Sequence, residues 1–222
     1  MNAGMLISKN QPNNWFETIT KECEREYNPI RFINISPNEV VIDLGCNVGG
    51  FTQAFKHKFK KILAIDASSY NVREYSKRHK HVVLHNAAFS KDNEIVKLKK
   101  YMGDGEDDTN SGNFSITNFT SGGKHGVIGS EYEEVETISL ETIIDMVGGR
   151  VGLLKIDIEG SEFDVLYKKD LTKINFIIGE FHNFLGKKIQ NKLFNWISKT
   201  HNEVYSMGDG INSHFIKMWK RK

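Results

Sequence analysis

The sequence predicts an α/β fold, a three-layer αβα sandwich built on a mostly parallel sheet. Three observations support it: apolar runs of strand length alternate with helix-like segments, a glycine-rich turn follows the first run, and two strand-like segments with a short connection close the chain. Strands that alternate with helices run parallel, because each helix carries the chain back across the sheet. Right-handed crossovers then place the carboxyl ends of these strands on one edge.

Composition and charge indicate one globular domain over residues 1–222. Hydrophobic residues make up 39% of the chain and charged residues 26%, unlike a disordered or membrane-embedded protein. The 30 basic and 28 acidic residues nearly cancel, so we do not expect nucleic acid as a partner. Cys23 and Cys46 do not suggest a disulfide scaffold, and we see neither a signal peptide nor a membrane span. We expect a cytoplasmic protein, whose oligomeric state the sequence leaves open.

The first part of the chain predicts a helix followed by three strands. Apolar residues recur at helical spacing over 13–27 and prolines follow, which predicts an N-terminal helical extension over residues 1–37. Apolar runs predict buried strands over 40–44, 62–66 and 82–86, with helices between them.

Residues 91–131 interrupt this alternation. They are rich in Gly, Asn, Ser, Thr and Asp, with short strand-like pieces at 94–98 and 114–117. We interpret the segment as an insertion and a candidate substrate loop, and a surface excursion with no role in binding is the alternative.

The alternation resumes after the insertion. The predicted order is helix 140–147, strand 151–158, helix 161–168, strand 174–180 and helix 187–199. The last two strands, over 203–207 and 214–219, are joined by a turn rich in Gly and Asp. Their short connection predicts an antiparallel hairpin.

The turn Asp43-Leu44-Gly45-Cys46-Asn47-Val48-Gly49-Gly50 favours a ligand without a pyrophosphate. A dinucleotide fingerprint needs a small middle residue, and Asn47 occupies that position if Gly45 and Gly50 are the outer glycines. This disfavours NAD and FAD, and the lack of a Gly-Lys-Ser/Thr sequence disfavours a nucleotide P-loop. S-adenosylmethionine fits better, because its carboxylate can accept helix N-terminal amides while Asp43 faces its ammonium group.

Two further strand ends complete the predicted cofactor site. Asp66 follows the turn by about sixteen residues, where a carboxylate can accept both ribose hydroxyls, and Asn86 could meet the adenine edge. A plain strand-to-helix turn and a solvated Asp66 are the alternatives. The residues that we predict to bind the cofactor are Asp43, Gly45, Cys46, Asn47, Gly49, Phe51, Asp66, Ala67, Asn86 and Ala87.

Three charged residues of the strand over 151–158 and beyond it are candidate catalytic residues. Lys155, Asp157 and Glu159 share one face if the strand stays regular to its end. Charges within a central strand are costly unless paired, so Lys155 is predicted to pair with Asp157 or Glu180 rather than to react. Asp157 is the first candidate for contact with the acceptor oxygen or for its base. It is also the residue that would hold a divalent metal, which the sequence does not otherwise indicate.

The roles of Glu159 and of the next strand end are less specific. Glu159 could instead help to start the following helix, where unpaired amides favour a carboxylate. Glu180 and His182 end the neighbouring strand, and the ordinary pKa of a histidine suits a general base. A structural histidine is the alternative for His182.

Three segments resemble the FkbM-type S-adenosylmethionine-dependent methyltransferases. They are residues 41–49, residues 86–90 and the most specific one, Leu154-Lys155-Ile156-Asp157-Ile158-Glu159-Gly160-Ser161-Glu162, within a resemblance that covers residues 38–185. The resemblance implies a Rossmann-like class I fold with a seven-strand sheet. It also implies methyl transfer to oxygen, commonly on a sugar or the hydroxyl of a small natural product.

We therefore predict an O-methyltransferase with a glycan or small-molecule acceptor. Two alternatives stay open. One is an RNA ribose 2′-O-methyltransferase, which would need a basic groove that the near-neutral charge does not suggest. The other is a catalytically silent domain that binds the cofactor or a partner.

Overall fold

The computed structural model describes residues 15–90, 92–102, 114–115, 127–183, 185–208 and 214–222. Eleven strands lie within them: Val40–Leu44 (β1), Ile62–Asp66 (β2), Val83–Asn86 (β3), Ala88–Phe89 (β4), Ile95–Met102 (β5), Phe114–Ser115 (β6), Val127–Ile138 (β7), Val151–Ile156 (β8), Ile174–His182 (β9), His201–Met207 (β10) and His214–Arg221 (β11). Six α-helices accompany them: Trp15–Glu26 (α1), Gly50–Phe55 (α2), Ser69–Arg78 (α3), Leu140–Met146 (α4), Glu162–Leu166 (α5) and Lys187–Ile197 (α6). A 3₁₀ helix at Asn28–Phe32 follows α1.

The main sheet confirms the predicted α/β architecture. Its seven strands have the order β10-β11-β9-β8-β1-β2-β3. The neighbours among β3, β2, β1, β8 and β9 are parallel, whereas β11 is antiparallel to both β9 and β10. The predicted C-terminal hairpin is therefore present, and it extends the parallel part of the sheet at the β9 side.

Helices cover both faces of this sheet. Val41 and Leu153 point to the face that packs against Phe51 and Phe55 of α2, and Tyr75 of α3 lies in the same cluster. The alternate residues of the same strands point to the other face, where the cluster includes side chains of α4, α5 and α6. Successive residues of a strand face opposite sides, which explains how one apolar run supplies both layers. None of the described helices is long and apolar enough to cross a membrane.

A second, smaller sheet includes parts of the segment that we predicted to be an insertion and continues beyond it to Ile138. Its four strands have the order β4-β7-β5-β6, with β5 antiparallel to both β7 and β6. The sequence analysis did not predict β7, because its glutamates interrupt the apolar run that is expected of a buried strand. Val135 and Thr137 are buried while Glu134 and Glu136 are exposed, which is the pattern of a strand with one solvated face. Residues 103–113 and 116–126 of the predicted loop lie outside the described residues.

Candidate functional site

The glycine turn passes close to the end of β8. Gly45 has a φ of 70°, and a Cβ built on it would lie 1.7 Å from the Asp157 carbonyl oxygen. The amides of Gly45 and Cys46 donate to the Ile65 carbonyl oxygen at 2.9 and 3.2 Å, which fixes the turn against β2. Both the positive φ and the close backbone therefore require glycine at position 45.

The second half of the turn packs against α3. Gly49 has a φ of 98°, and a Cβ there would lie 2.5 Å from the His79 ring. The His79 Nε2 atom lies 3.1 Å from the Gly49 carbonyl oxygen, which accepts only, so Nε2 carries the proton. Burial lowers the pKa of His79, which keeps the ring neutral beside the turn.

The predicted ribose ligand, Asp66, joins the turn to the start of α3. Its carboxylate accepts hydrogen bonds from the Asn47 amide at 2.8 Å, the Ser68 amide at 2.9 Å and the Asn71 side chain at 3.1 Å. Burial raises the pKa of Asp66, and these hydrogen bonds oppose that shift. Asn86 donates to the carbonyl oxygen of Ala67 at 2.7 Å, so the ends of β1, β2 and β3 meet as predicted.

Four other predicted cofactor residues have buried side chains. Cys46, Phe51 and Ala87 are at most 8% exposed, so their side chains do not form an open binding surface. The Asp43 carboxylate is completely buried, and its ion-pair partner is Lys155 at 3.1 Å. The direct contact between Asp43 and a cofactor ammonium that we predicted would require the turn to open.

Lys155, on β8, holds the glycine turn by a hydrogen bond to its backbone. Its ammonium group donates to the Gly45 carbonyl oxygen at 2.7 Å and lies 3.8 Å from the Asp157 carboxylate. The prediction that Lys155 pairs with Asp157 is thus confirmed. The sequence analysis did not predict its nearer partner, Asp43. Burial lowers the pKa of Lys155, and the two carboxylates raise it by more, so the side chain stays charged.

The strand does not remain regular as far as Glu159. β8 ends at Ile156, and Glu159 and Gly160 have φ values of 51° and 100°. The expected alternation of three charged residues on one strand face is therefore wrong at its last member. Glu159 also does not start α5, because the N-cap of α5 is Ser161. The Glu159 carboxylate instead lies 3.4 Å from His182 Nε2.

Asp157, Glu180 and His182 come together at the carboxyl edge of β8 and β9, as predicted. One donor atom of each lies within 4.8 Å of the other two. The side chains of Asp157 and Glu180 are partly exposed, whereas that of His182 is buried. His182 Nε2 lies 3.4 Å from Glu180 Oε1. This set, two carboxylates and one imidazole, could bind an acceptor hydroxyl or a divalent cation.

Two residues that the sequence analysis did not assign also reach this cluster. The Glu162 carboxylate lies 3.0 Å from His182 Nδ1 and accepts a hydrogen bond from the Gly160 amide at 3.0 Å. The Tyr27 hydroxyl donates to Asp157 at 3.3 Å. Glu162 stands in the most specific segment of the sequence, so its place could have been suspected. Tyr27 is 130 residues away along the chain, and no local pattern marks it.

The cluster shifts the pKa values of its own members. Burial raises the pKa of Asp157 to about 7 and that of Glu159 to about 8, with Glu180 adding to both shifts and His182 opposing them. Burial lowers the pKa of His182, but the hydrogen-bonded carboxylates outweigh it and hold that pKa well above its ordinary value. The carboxylates therefore favour the protonated form of His182, whereas the general base that we predicted needs the neutral ring.

Comparisons with known proteins agree with this geometry. The family model described as the methyltransferase FkbM domain matches residues 43–207. Ribosomal protein L11 methylase from Lactobacillus delbrueckii subsp. bulgaricus superposes with a TM-score of 0.50 and 13% identity, over 92% of this chain and 79% of that one. M. capricolum TrmK, solved in complex with S-adenosyl-homocysteine, superposes with a TM-score of 0.51 and 12% identity, over 89% of this chain and 68% of that one. Both structures share the fold. No match was found among curated protein sequences.

Proposed function

Because the chain belongs to the FkbM methyltransferase family and uses S-adenosylmethionine, we propose that it methylates a hydroxyl oxygen of a sugar, a glycan or a small natural product. The cofactor would lie along the ends of β1, β2 and β3, with the glycine turn, Asp66 and Asn86 around it. The acceptor would enter beside it, at the ends of β8 and β9.

The observation that carries this proposal is the cluster of Asp157, Glu180 and His182 next to the glycine turn. Methyl transfer from a sulfonium requires the acceptor oxygen in line with the methyl group, and a hydroxyl must also lose its proton. The acceptor O–H bond breaks, the O–CH₃ bond forms, the S–CH₃ bond breaks and S-adenosylhomocysteine leaves. The carboxylate cluster orients the hydroxyl and takes up the proton.

The charges at this edge favour an uncharged acceptor over RNA. Asp157, Glu159 and Glu180 surround His182, and each of them repels the phosphates that flank a ribose when it is ionised. The hydroxyls of a sugar can instead donate hydrogen bonds to them. We therefore place RNA second among the acceptors to be tested.

An acceptor screen that detects S-adenosylhomocysteine formation tests the proposal. We expect turnover with a hydroxyl-bearing sugar or small molecule. With that acceptor, Asp157→Asn should lower kcat at least about a hundredfold and leave S-adenosylhomocysteine binding unchanged by calorimetry. Asp164→Asn, on the exposed side of α5, is the matched control and should keep full activity. Labelling of RNA but of no sugar would contradict the proposal, and so would cofactor binding without turnover on any acceptor.

A further inference from the structure

We propose that Asp157, Glu180 and His182 bind a divalent transition-metal ion such as Mn²⁺. The three donor atoms already lie within 4.8 Å of one another. An ion at about 2.1 Å from each donor would bring them within about 4.2 Å, so closure requires only small side-chain rotations. Metal binding by itself is independent of the proposed function. Its use, to hold the acceptor hydroxyl, rests on that function.

The strand register places these donors side by side. β8 and β9 are parallel, and their last pair of aligned residues is Ile156 and Gly179. Asp157 and Glu180 each follow that pair by one residue, so they project from adjacent strand ends. His182 is two residues beyond Glu180 on the same strand and therefore lies on the same face. The backbone of two neighbouring strands thus positions all three donors.

His182 has the orientation of a metal-binding histidine. Its Nδ1 atom lies 3.0 Å from the Glu162 carboxylate, which is only 2% exposed and is itself held by the Gly160 amide. Histidines that bind metals usually have their second ring nitrogen fixed by such a carboxylate. Nε2 consequently faces Glu180 and Glu159, each at 3.4 Å, where an ion would lie.

The acidic side chains around His182 favour the binding of a cation. Asp157, Glu159, Glu162 and Glu180 contribute four carboxylates around His182. Lys155 is the other cation recorded near them in the described part of the chain, and its nearer partner is Asp43. A divalent ion would stabilise the ionised form of these buried carboxylates, which is otherwise unfavourable.

The donor set favours a transition metal over Mg²⁺ or Ca²⁺. Imidazole nitrogen is a common ligand of first-row transition metals, whereas Mg²⁺ and Ca²⁺ prefer oxygen alone. Three protein donors leave coordination positions open for water or for acceptor oxygens, as in catalytic sites. Such an ion would lower the pKa of a bound hydroxyl and hold it near the cofactor.

Titration of the chelator-treated full chain with Mn²⁺, followed by the electron paramagnetic resonance signal of the free ion, tests the site. We expect one bound ion per chain, with no acceptor or cofactor present. Asp157→Asn, Glu180→Gln and His182→Asn should each raise the Kd at least tenfold, and Glu162→Gln by about ten- to a hundredfold. Asp164→Asn should leave the Kd unchanged, and the unfolding midpoint of each variant checks that it is folded.

Pulsed electron paramagnetic resonance of Mn²⁺ bound to the wild-type protein identifies the nitrogen ligand without any substitution. Bound Mn²⁺ should show coupling to ¹⁴N, and His182→Asn should remove that coupling. No binding by the wild type, or binding without nitrogen coupling, would overturn the metal site. If the metal site is overturned but turnover survives chelation, the proposed function stands. If Mn²⁺ binds but no hydroxyl is methylated, the metal site stands and the proposed function is overturned.

Discussion

Lys155 shows how a charged side chain is accommodated within a central strand. It is 3% exposed, donates to the Gly45 carbonyl oxygen and pairs with Asp43, which is completely buried. A buried charge is unfavourable unless it is paired and hydrogen-bonded, and Lys155 meets both conditions. It therefore acts as a positioning residue that links the glycine turn to Asp157.

Removal of the ammonium group should be strongly destabilising. Lys155→Met leaves Asp43 as an unpaired buried carboxylate, and we expect the free energy of unfolding to fall by about 3–5 kcal/mol. The double variant with Asp43→Asn should lose less than the sum of the two single changes, because the unpaired charge is gone. Urea unfolding of the four proteins measures this coupling. Strictly additive effects would mean that the pair is not an energetic unit.

Gly45 allows a second test at the same scale. Alanine at a positive φ costs roughly 1–2 kcal/mol. Gly45→Ala adds a clash with the Asp157 carbonyl oxygen, so it should be clearly more destabilising and should weaken S-adenosylhomocysteine binding. Gly149→Ala is the matched control, since Gly149 also has a positive φ, of 82°, but open space around it. Equal losses in the two variants, measured by thermal unfolding, would contradict the steric argument.

At the scale of elements, α1 contributes to the site although it lies outside the residues matched by the family model. A Cβ on Gly50 would lie 2.5 Å from Ile19 Cγ2, so α1 packs closely on the first residue of α2. Directly after α1, Tyr27 packs edge-on against Phe51, and its hydroxyl reaches Asp157. The packing of α1 on α2 therefore places Tyr27 beside the acidic cluster.

Loss of the Tyr27 hydroxyl should affect turnover more than folding. Tyr27→Phe keeps the packing against Phe51 and removes the hydrogen bond to Asp157. We expect kcat to fall about ten- to a hundredfold, because a hydrogen bond to a charged group contributes about 1.5–3 kcal/mol. S-adenosylhomocysteine binding should not change. Tyr167→Phe is the control, because the Tyr167 ring packs between Phe163 of α5 and Trp196 of α6. An unchanged kcat for Tyr27→Phe would show that Tyr27 only packs.

The elements also show what the sequence could predict. Apolar runs identified the central strands, and their order was enough to place Asp157 beside Glu180 and His182. β7 was missed because exposed glutamates such as Glu134 and Glu136 alternate with its buried residues and interrupt the apolar run. The position of Glu159 depends on a left-handed backbone, and that of Tyr27 on a contact across 130 residues. Periodicity reports neither kind of information.

For the whole molecule, the hairpin at the sheet edge is joined to the parallel part by a buried histidine. His201 begins β10 and is completely buried. Its Nε2 atom lies 3.0 Å from the carbonyl oxygen of Ile174, at the start of β9, and Nδ1 lies 2.8 Å from the Thr200 hydroxyl. A carbonyl oxygen only accepts, so Nε2 carries the proton and Nδ1 of the neutral ring accepts from Thr200. A second proton on Nδ1 would require the Thr200 hydroxyl to donate instead to the Ile197 carbonyl oxygen, 3.4 Å away, and would place a charge on a buried ring.

The stability of the fold should therefore depend on the protonation of His201. Burial lowers the pKa of His201 and the neighbouring Arg221 and Lys222 lower it further, while the bond to Ile174 opposes the shift. The unfolded chain, with an ordinary histidine pKa of about 6.5, binds the proton first as the pH falls. The contribution of His201 is thus complete above about pH 6.5 and is lost progressively below it.

Urea unfolding of wild type and His201→Gln between pH 5 and pH 8 isolates this contribution. Glutamine can still donate to the Ile174 carbonyl oxygen but does not titrate. Other groups with shifted pKa values, such as His79 and Asp157, are present in both proteins and cancel in the difference. We expect the advantage of the wild type to shrink as the pH falls below about 6.5, because protonation then favours the unfolded chain. A difference that stays constant across this range would mean that His201 does not titrate on unfolding.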